Sequence, residues 1–153
     1  MASVKYDKIF KLFLGSIKDY DLASLDESDA KELMTEYVHK AIATPYLSRL
    51  FSSKQLTDET ETFTYTMKYP LDEDENDFVC NAISKYMVYE WSANQVNNTA
   101  LTHQVIFSSK EKSFYSQQAH LNTNMSLKDM LYKEARQYVM DRVGIKNSYL
   151  GGQ

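Results

Sequence analysis

Two prolines and four glycines are the only strong punctuation in this chain of 153 residues, and that scarcity limits its architecture more than any other feature. Sandwiches and barrels of short strands need frequent turns, and turns draw heavily on these two residues. A chain with so few obligatory turns is expected to be helix-rich. The expected fold is mainly α: a bundle of four to five helices, a minor β-strand or hairpin, and one long polar loop. Length favours a single domain over residues 1–153, large enough to bury a real core. With 43% hydrophobic and 25% charged residues, the chain is too apolar to stay disordered.

Periodicity places the elements. Tyr6, Ile9, Phe10 and Phe13 share one helical face, with Lys8 and Lys11 opposite and Gly15 as a plausible stop. Ser24-Leu25-Asp26-Glu27 fits a capping box, and Leu33, Met34, Tyr37, Val38, Ala41 and Ile42 follow as an amphipathic stripe. Pro45 ends that helix and suits the first position of a new turn carrying Tyr46, Leu47, Leu50 and Phe51.

Over residues 61–69 the period changes to two. Phe63, Tyr65, Met67 and Tyr69 alternate with Thr62, Thr64, Thr66 and Lys68, which predicts a strand with one buried face. A lone strand needs a partner, either a weak strand near Gln104 to Ser108 or the edge of a neighbouring copy. After Pro70 comes an acidic run, Asp72, Glu73, Asp74, Glu75 and Asp77, then a central helix with Phe78, Val79, Ala82, Ile83, Tyr86, Met87 and Trp91. Val96-Asn97-Asn98-Thr99 reads as its exit. Residues 108–124 read as a long polar loop, Ser126-Leu127-Lys128-Asp129 as the cap of the last helix, and residues 145–153 as an apolar C-terminal tail that must dock.

Charge and motifs remove several functions. A net charge of −4 argues against a chain whose main task is gripping nucleic-acid backbone. No segment reaches the roughly 18 apolar residues of a membrane helix, and the first residues lack the apolar run of a signal peptide, so cytoplasm is expected. The one cysteine, Cys80, lies between apolar neighbours and reads as a buried thiol. Asp72-x-Asp74-x-Asn76 matches three ligand positions of an EF-hand, but Asp77 replaces the turn glycine and Ile83 the bidentate glutamate. A solvated helix start is the better reading. His39, His103 and His120 have no metal-ligand spacing, and there is no phosphate loop or nucleophile elbow. No metal, no cofactor and no catalysis are expected. Lys110-Glu111-Lys112 beside Phe114 and Tyr115 is too short and charge-compensated for a single-strand binder. Twelve tyrosines are the compositional oddity, suited to a core edge or to an interface.

Three stretches carry a resemblance: Tyr6-Asp7-Lys8-Ile9-Phe10 with Phe13-Leu14-Gly15, residues 110–121, and Asn147-Ser148-Tyr149-Leu150-Gly151-Gly152. Together they resemble head–tail connector (neck, or adaptor) proteins of tailed bacteriophages of Gram-positive hosts. The resemblance implies a structural virion subunit, made in the host cytoplasm, that forms a ring with its own copies. Its partners would be the portal and other neck or tail proteins, with DNA passing nearby and no membrane. Phe114, Tyr115, Tyr149 and Leu150 are the candidate contacts, being apolar in segments with no evident core role. The acidic run 72–77 could face the DNA channel, where like charge would let DNA slide. Two other classes stay open. One is a small intracellular regulatory or anti-host binding protein with a Tyr-rich surface. The other, ranked last, is an enzyme whose site folding assembles from Glu90, His103 or His120.

Overall fold

The computed structural model describes residues 1–17, 22, 24–70, 74–106 and 111–145, and gives only the helical backbone for residues 98–106, 111–121 and 142–145. In chain order the elements are β1 (Ala2–Lys5), α1 (Tyr6–Ser16), α2 (Glu27–Ala43), α3 (Pro45–Ser48), β2 (Phe51–Thr57), a 3-10 turn (Asp58–Thr60), β3 (Thr62–Met67), α4 (Glu75–Ile106) and α5 (Glu111–Ile145). The fold is mainly helical with a small antiparallel sheet, as the turn-poor sequence predicts.

β3 is the middle strand of the order β1-β3-β2, with Val4 and Leu56 both opposite Phe63. Its alternation works as expected: Phe63, Tyr65 and Met67 are buried, and the threonines between them are half-buried on the other face. Phe51 meets Phe63 edge-on at 5.4 Å, so the aromatic face of the sheet closes on itself before the helices cover it. The partners of β3 are not those expected. Gln104 to Ile106 belong to α4, and β1 and β2 supply the pairing instead. β1 escaped notice because it is four residues long, and β2 because FSSKQLT carries one buried residue and no alternation.

The apolar stripes behave as their spacing requires. Tyr6, Ile9, Phe10 and Phe13 of α1 are buried, as are Met34, Tyr37, Val38, Ala41 and Ile42 of α2. They meet the central helix α4 through Phe78, Val79, Ala82, Ile83, Tyr86 and Met87, all in one core cluster with the sheet. Boundaries shift by a turn or less. Gly15 sits inside α1, and α2 begins at Glu27 with Asp26 at its N-cap, so the Ser24 box does not mark the start.

The large correction concerns the second half. α4 runs for 32 residues through Val96-Asn97-Asn98-Thr99, and α5 for 35 residues from Glu111. From Glu111 onward the expected loop of residues 108–124 is therefore helix, and Ser126 lies in a helix interior. The physical reason is local. Neither glycine nor proline occurs between Pro70 and Gly144, and the polar residues there include the good helix formers Glu, Lys and Gln. The two helices run antiparallel, joined by the Phe78–Tyr138 stack at 5.4 Å and the Tyr89–Tyr132 pair at 5.0 Å, with fully buried Ala82 and Ala135 nearby. At 1.5 Å per residue they are about 48 and 52 Å long. A compact domain of this length has a radius of gyration of about 15 Å and a diameter of about 40 Å. Each helix of the hairpin is longer than the diameter of a compact domain of this chain length.

Candidate functional site

The start of α4 gathers what the structure describes of the acidic run. Asp74 takes a left-handed backbone conformation (φ 57°) and its carbonyl accepts the Phe78 N–H at 2.8 Å, turning the chain into the helix. Asp77 pairs with Lys8 of α1, and the side-chain oxygen of Asn76 accepts the hydroxyl of buried Tyr65. This is a tethered, solvated helix start, as the failed EF-hand match implies. Asp72 and Glu73 lie outside the described residues, and among those described no cluster of metal-ligating groups exists.

A second polar cluster was not anticipated. The Tyr6 hydroxyl donates to Asp58 Oδ1 at 2.7 Å, and His39 Nε2 lies 2.9 and 3.0 Å from the two Asp58 oxygens. The Tyr6 hydrogen bond, then that of His39, holds the Asp58 carboxyl below its ordinary range, while burial followed by the same bond raises the Tyr6 phenol. A carboxylate orienting a histidine is half of a catalytic triad. Here the third member is a buried phenol on the same carboxylate, and no hydroxyl or thiol nucleophile contacts the imidazole among the described residues. The cluster clamps α1 and α2 to the 3-10 turn. No single-sequence signal joins Tyr6, His39 and Asp58, since each is unremarkable in its own segment.

The remaining catalytic candidates do not converge. Cys80 is fully buried, and burial pushes its thiol up to about 11, which makes it an inert core residue, as its neighbours in sequence suggest. Burial lifts the Glu90 carboxyl, with Lys40 opposing. His103 and His120 lie on the backbone of α4 and α5, and their side chains are not among those described. The same holds for Phe114 and Tyr115 on α5, while Tyr149 and Leu150 fall outside the described residues. No helix is long and apolar enough to cross a membrane among the described residues.

What the described surface does offer is α5. Its inner side buries Ala135 and Val139 and packs Leu131, Tyr132 and Tyr138 against the core. Its outer side exposes Met125, Leu127, Met130 and Met140, half of the large apolar side chains exposed among the described residues, with Met130 48% exposed. Leu127 and Met130 lie one turn apart. Exposed apolar side chains are ordinary when scattered, and four on one long helix make α5 the most apolar element of the described surface. Methionine suits such a surface because its unbranched thioether adapts to what it meets. Sequence periodicity missed these positions because it assigned Leu127 and Met130 to the core stripe. No protein-family model matches the chain, and neither does any curated protein or solved structure.

Proposed function

We propose that this chain is a structural subunit that acts by assembling with copies of itself into a ring, in the manner of the phage head–tail connectors it resembles. The observation that carries the reading is the set of exposed apolar side chains on α5, one of two helices of 32 and 35 residues. A helix with apolar residues on both sides gains when both are covered, and the core covers one. The polar clusters are compatible with the same reading, because His39–Asp58–Tyr6 and Lys8–Asp77 tie elements together.

Light scattering across a concentration range tests it. The expected result is a multi-subunit ring, alone or on addition of portal protein, and its loss in a variant carrying Leu127→Lys and Met130→Lys. A fixed monomer or dimer that ignores portal components refutes the ring, and moves the regulatory binding protein to first place.

A further inference from the structure

Two of the three arginines in this chain meet on one tyrosine ring. The guanidinium of Arg136, reaching from α5, sits 4.3 Å from the centre of the Tyr46 ring. That of Arg49, the residue that closes α3, lies 5.7 Å from the same centre. The two cations are therefore within about 10 Å of each other, held there by the π-system they share. Elsewhere the chain answers its cations locally: Lys11, Lys31 and Lys40 each pair with an acid four residues earlier, Asp7, Glu27 and Glu36. Neither arginine has an acid three or four residues away on either side, and neither forms an ion pair among the described residues. Two like charges this close repel, and an anion that contacts both removes the cost.

Two buried donors are unused at the same level of the hairpin. Arg136 Nε is buried and donates to nothing, and the hydroxyl of Tyr86, a fully buried side chain of α4, is likewise without a partner. Buried donors without acceptors are costly, and each one in a native protein calls for an explanation. The helix pairing brings the two together. Tyr89 contacts Tyr132 across the antiparallel helices. Tyr86 lies one turn back from Tyr89, and Arg136 one turn on from Tyr132, which is the same direction along the pair. Burial pushes the Tyr86 phenol up to about 12, and the nearby charge of Arg136 works against that rise.

These donors arrive from three elements: Arg136 from α5, Arg49 from the end of α3, and Tyr86 from α4. A carboxylate holds its oxygens in one plane, where a single guanidinium fork satisfies both. A phosphate ion spreads its acceptor oxygens tetrahedrally and carries close to a double negative charge at neutral pH, so donors from several directions each find an oxygen. Its charge also matches two guanidinium groups. We propose that the Arg49–Tyr46–Arg136 patch, with the Tyr86 hydroxyl, is a binding site for the phosphate dianion. Arg49 is exposed and swings to close on the ion, while Arg136 is held in place by its stack on Tyr46. The site does not rest on the assembly reading.

Thermal melts in inorganic phosphate, against chloride at equal ionic strength, test it. The wild-type Tm should climb with phosphate beyond its value in chloride, as mass action requires of a ligand that binds only the folded state. Arg49→Gln and Arg136→Gln should each need about tenfold or more phosphate for the same gain, since each removes charge-assisted hydrogen bonds. Tyr86→Phe separates binding from stability: it should melt above the wild type in chloride and gain less from phosphate. Acetate, a planar carboxylate, should give a smaller gain than phosphate. A gain in phosphate that is equal in the wild type and all three variants is the general effect of an excluded salt, and overturns the site. Acetate matching phosphate, or a wild-type Tm that phosphate leaves unchanged, overturns it too. Arg49 lies outside the core, so Arg49→Gln decides the outcome should Arg136→Gln not fold.

Discussion

Three tyrosines offer a test in which sign, and not size, is the decisive reading. Tyr6, Tyr65 and Tyr86 are all fully buried, so replacing each with phenylalanine removes one oxygen and leaves the ring packing unchanged. Their hydroxyls differ in one respect. That of Tyr6 donates to Asp58, that of Tyr65 donates to Asn76, and that of Tyr86 has no partner. Removing a hydrogen bond costs about 1 kcal/mol net, and here the low end applies, because Asp58 and Asn76 are exposed and rehydrate once abandoned. Removing a buried hydroxyl that bonds nothing has the opposite sign, since its desolvation cost disappears, also by about 1 kcal/mol. For a domain of this size each kcal/mol moves Tm by roughly 2–4 °C. Tyr6→Phe and Tyr65→Phe should therefore melt below the wild type, and Tyr86→Phe above it. Tyr86→Phe should exceed the other two by roughly 3–6 °C in thermal melts at pH 7. Three shifts of the same sign would refute the reasoning, for the hydrogen-bonding partner would then not decide the outcome.

Further expectations follow from the titrating groups and the core. The Asp58 carboxyl is depressed on folding, chiefly by the Tyr6 hydroxyl, so its stabilisation is complete above about pH 4 and is lost as pH falls through the folded value. Asp58→Asn should consequently lose less Tm than the wild type between about pH 5 and pH 2. Glu90 has the reverse sign: burial raises its carboxyl, and the penalty appears as pH climbs above about 4.3. Glu90→Gln should raise Tm at pH 7 and change it little at pH 4, and a loss at both values would contradict the assignment. Cys80 should not react with a disulfide reagent at pH 8 in the native protein, so labelling should track unfolding in urea; prompt labelling without denaturant would show the thiol to be accessible.

How far the fold was legible depended on how well each segment separates its faces. α1, α2 and β3 segregate apolar from polar residues cleanly, and the side chains assigned inward are the ones the structure buries or half-buries, Tyr69 alone excepted at 74% exposed. β2 could not be read because its place comes from pairing with β3 and not from its own pattern. The Asn97-Asn98-Thr99 exit and the Ser126 cap are locally reasonable signals that tertiary context overrides, since residues that favour caps also occur inside helices. The Tyr6–Asp58–His39 clamp joins residues 19 and 52 positions apart, and the Arg136–Tyr46 contact spans 90, so only folding brings them together.

The misreading of α5 and the proposed function have the same cause. A helix is recognised in sequence when one side is apolar and the other polar, because only one side meets the core. α5 turns Ala135 and Val139 inward and Met125, Leu127, Met130 and Met140 outward, so its apolar residues do not fall on one stripe. Free in water, the outer set would gain from retreating inward, while Tyr132 and Tyr138 hold the opposite side against α4. Under the proposed assembly, such a helix acquires a second neighbour after its own chain has folded, and the outer set is then covered as the inner set already is.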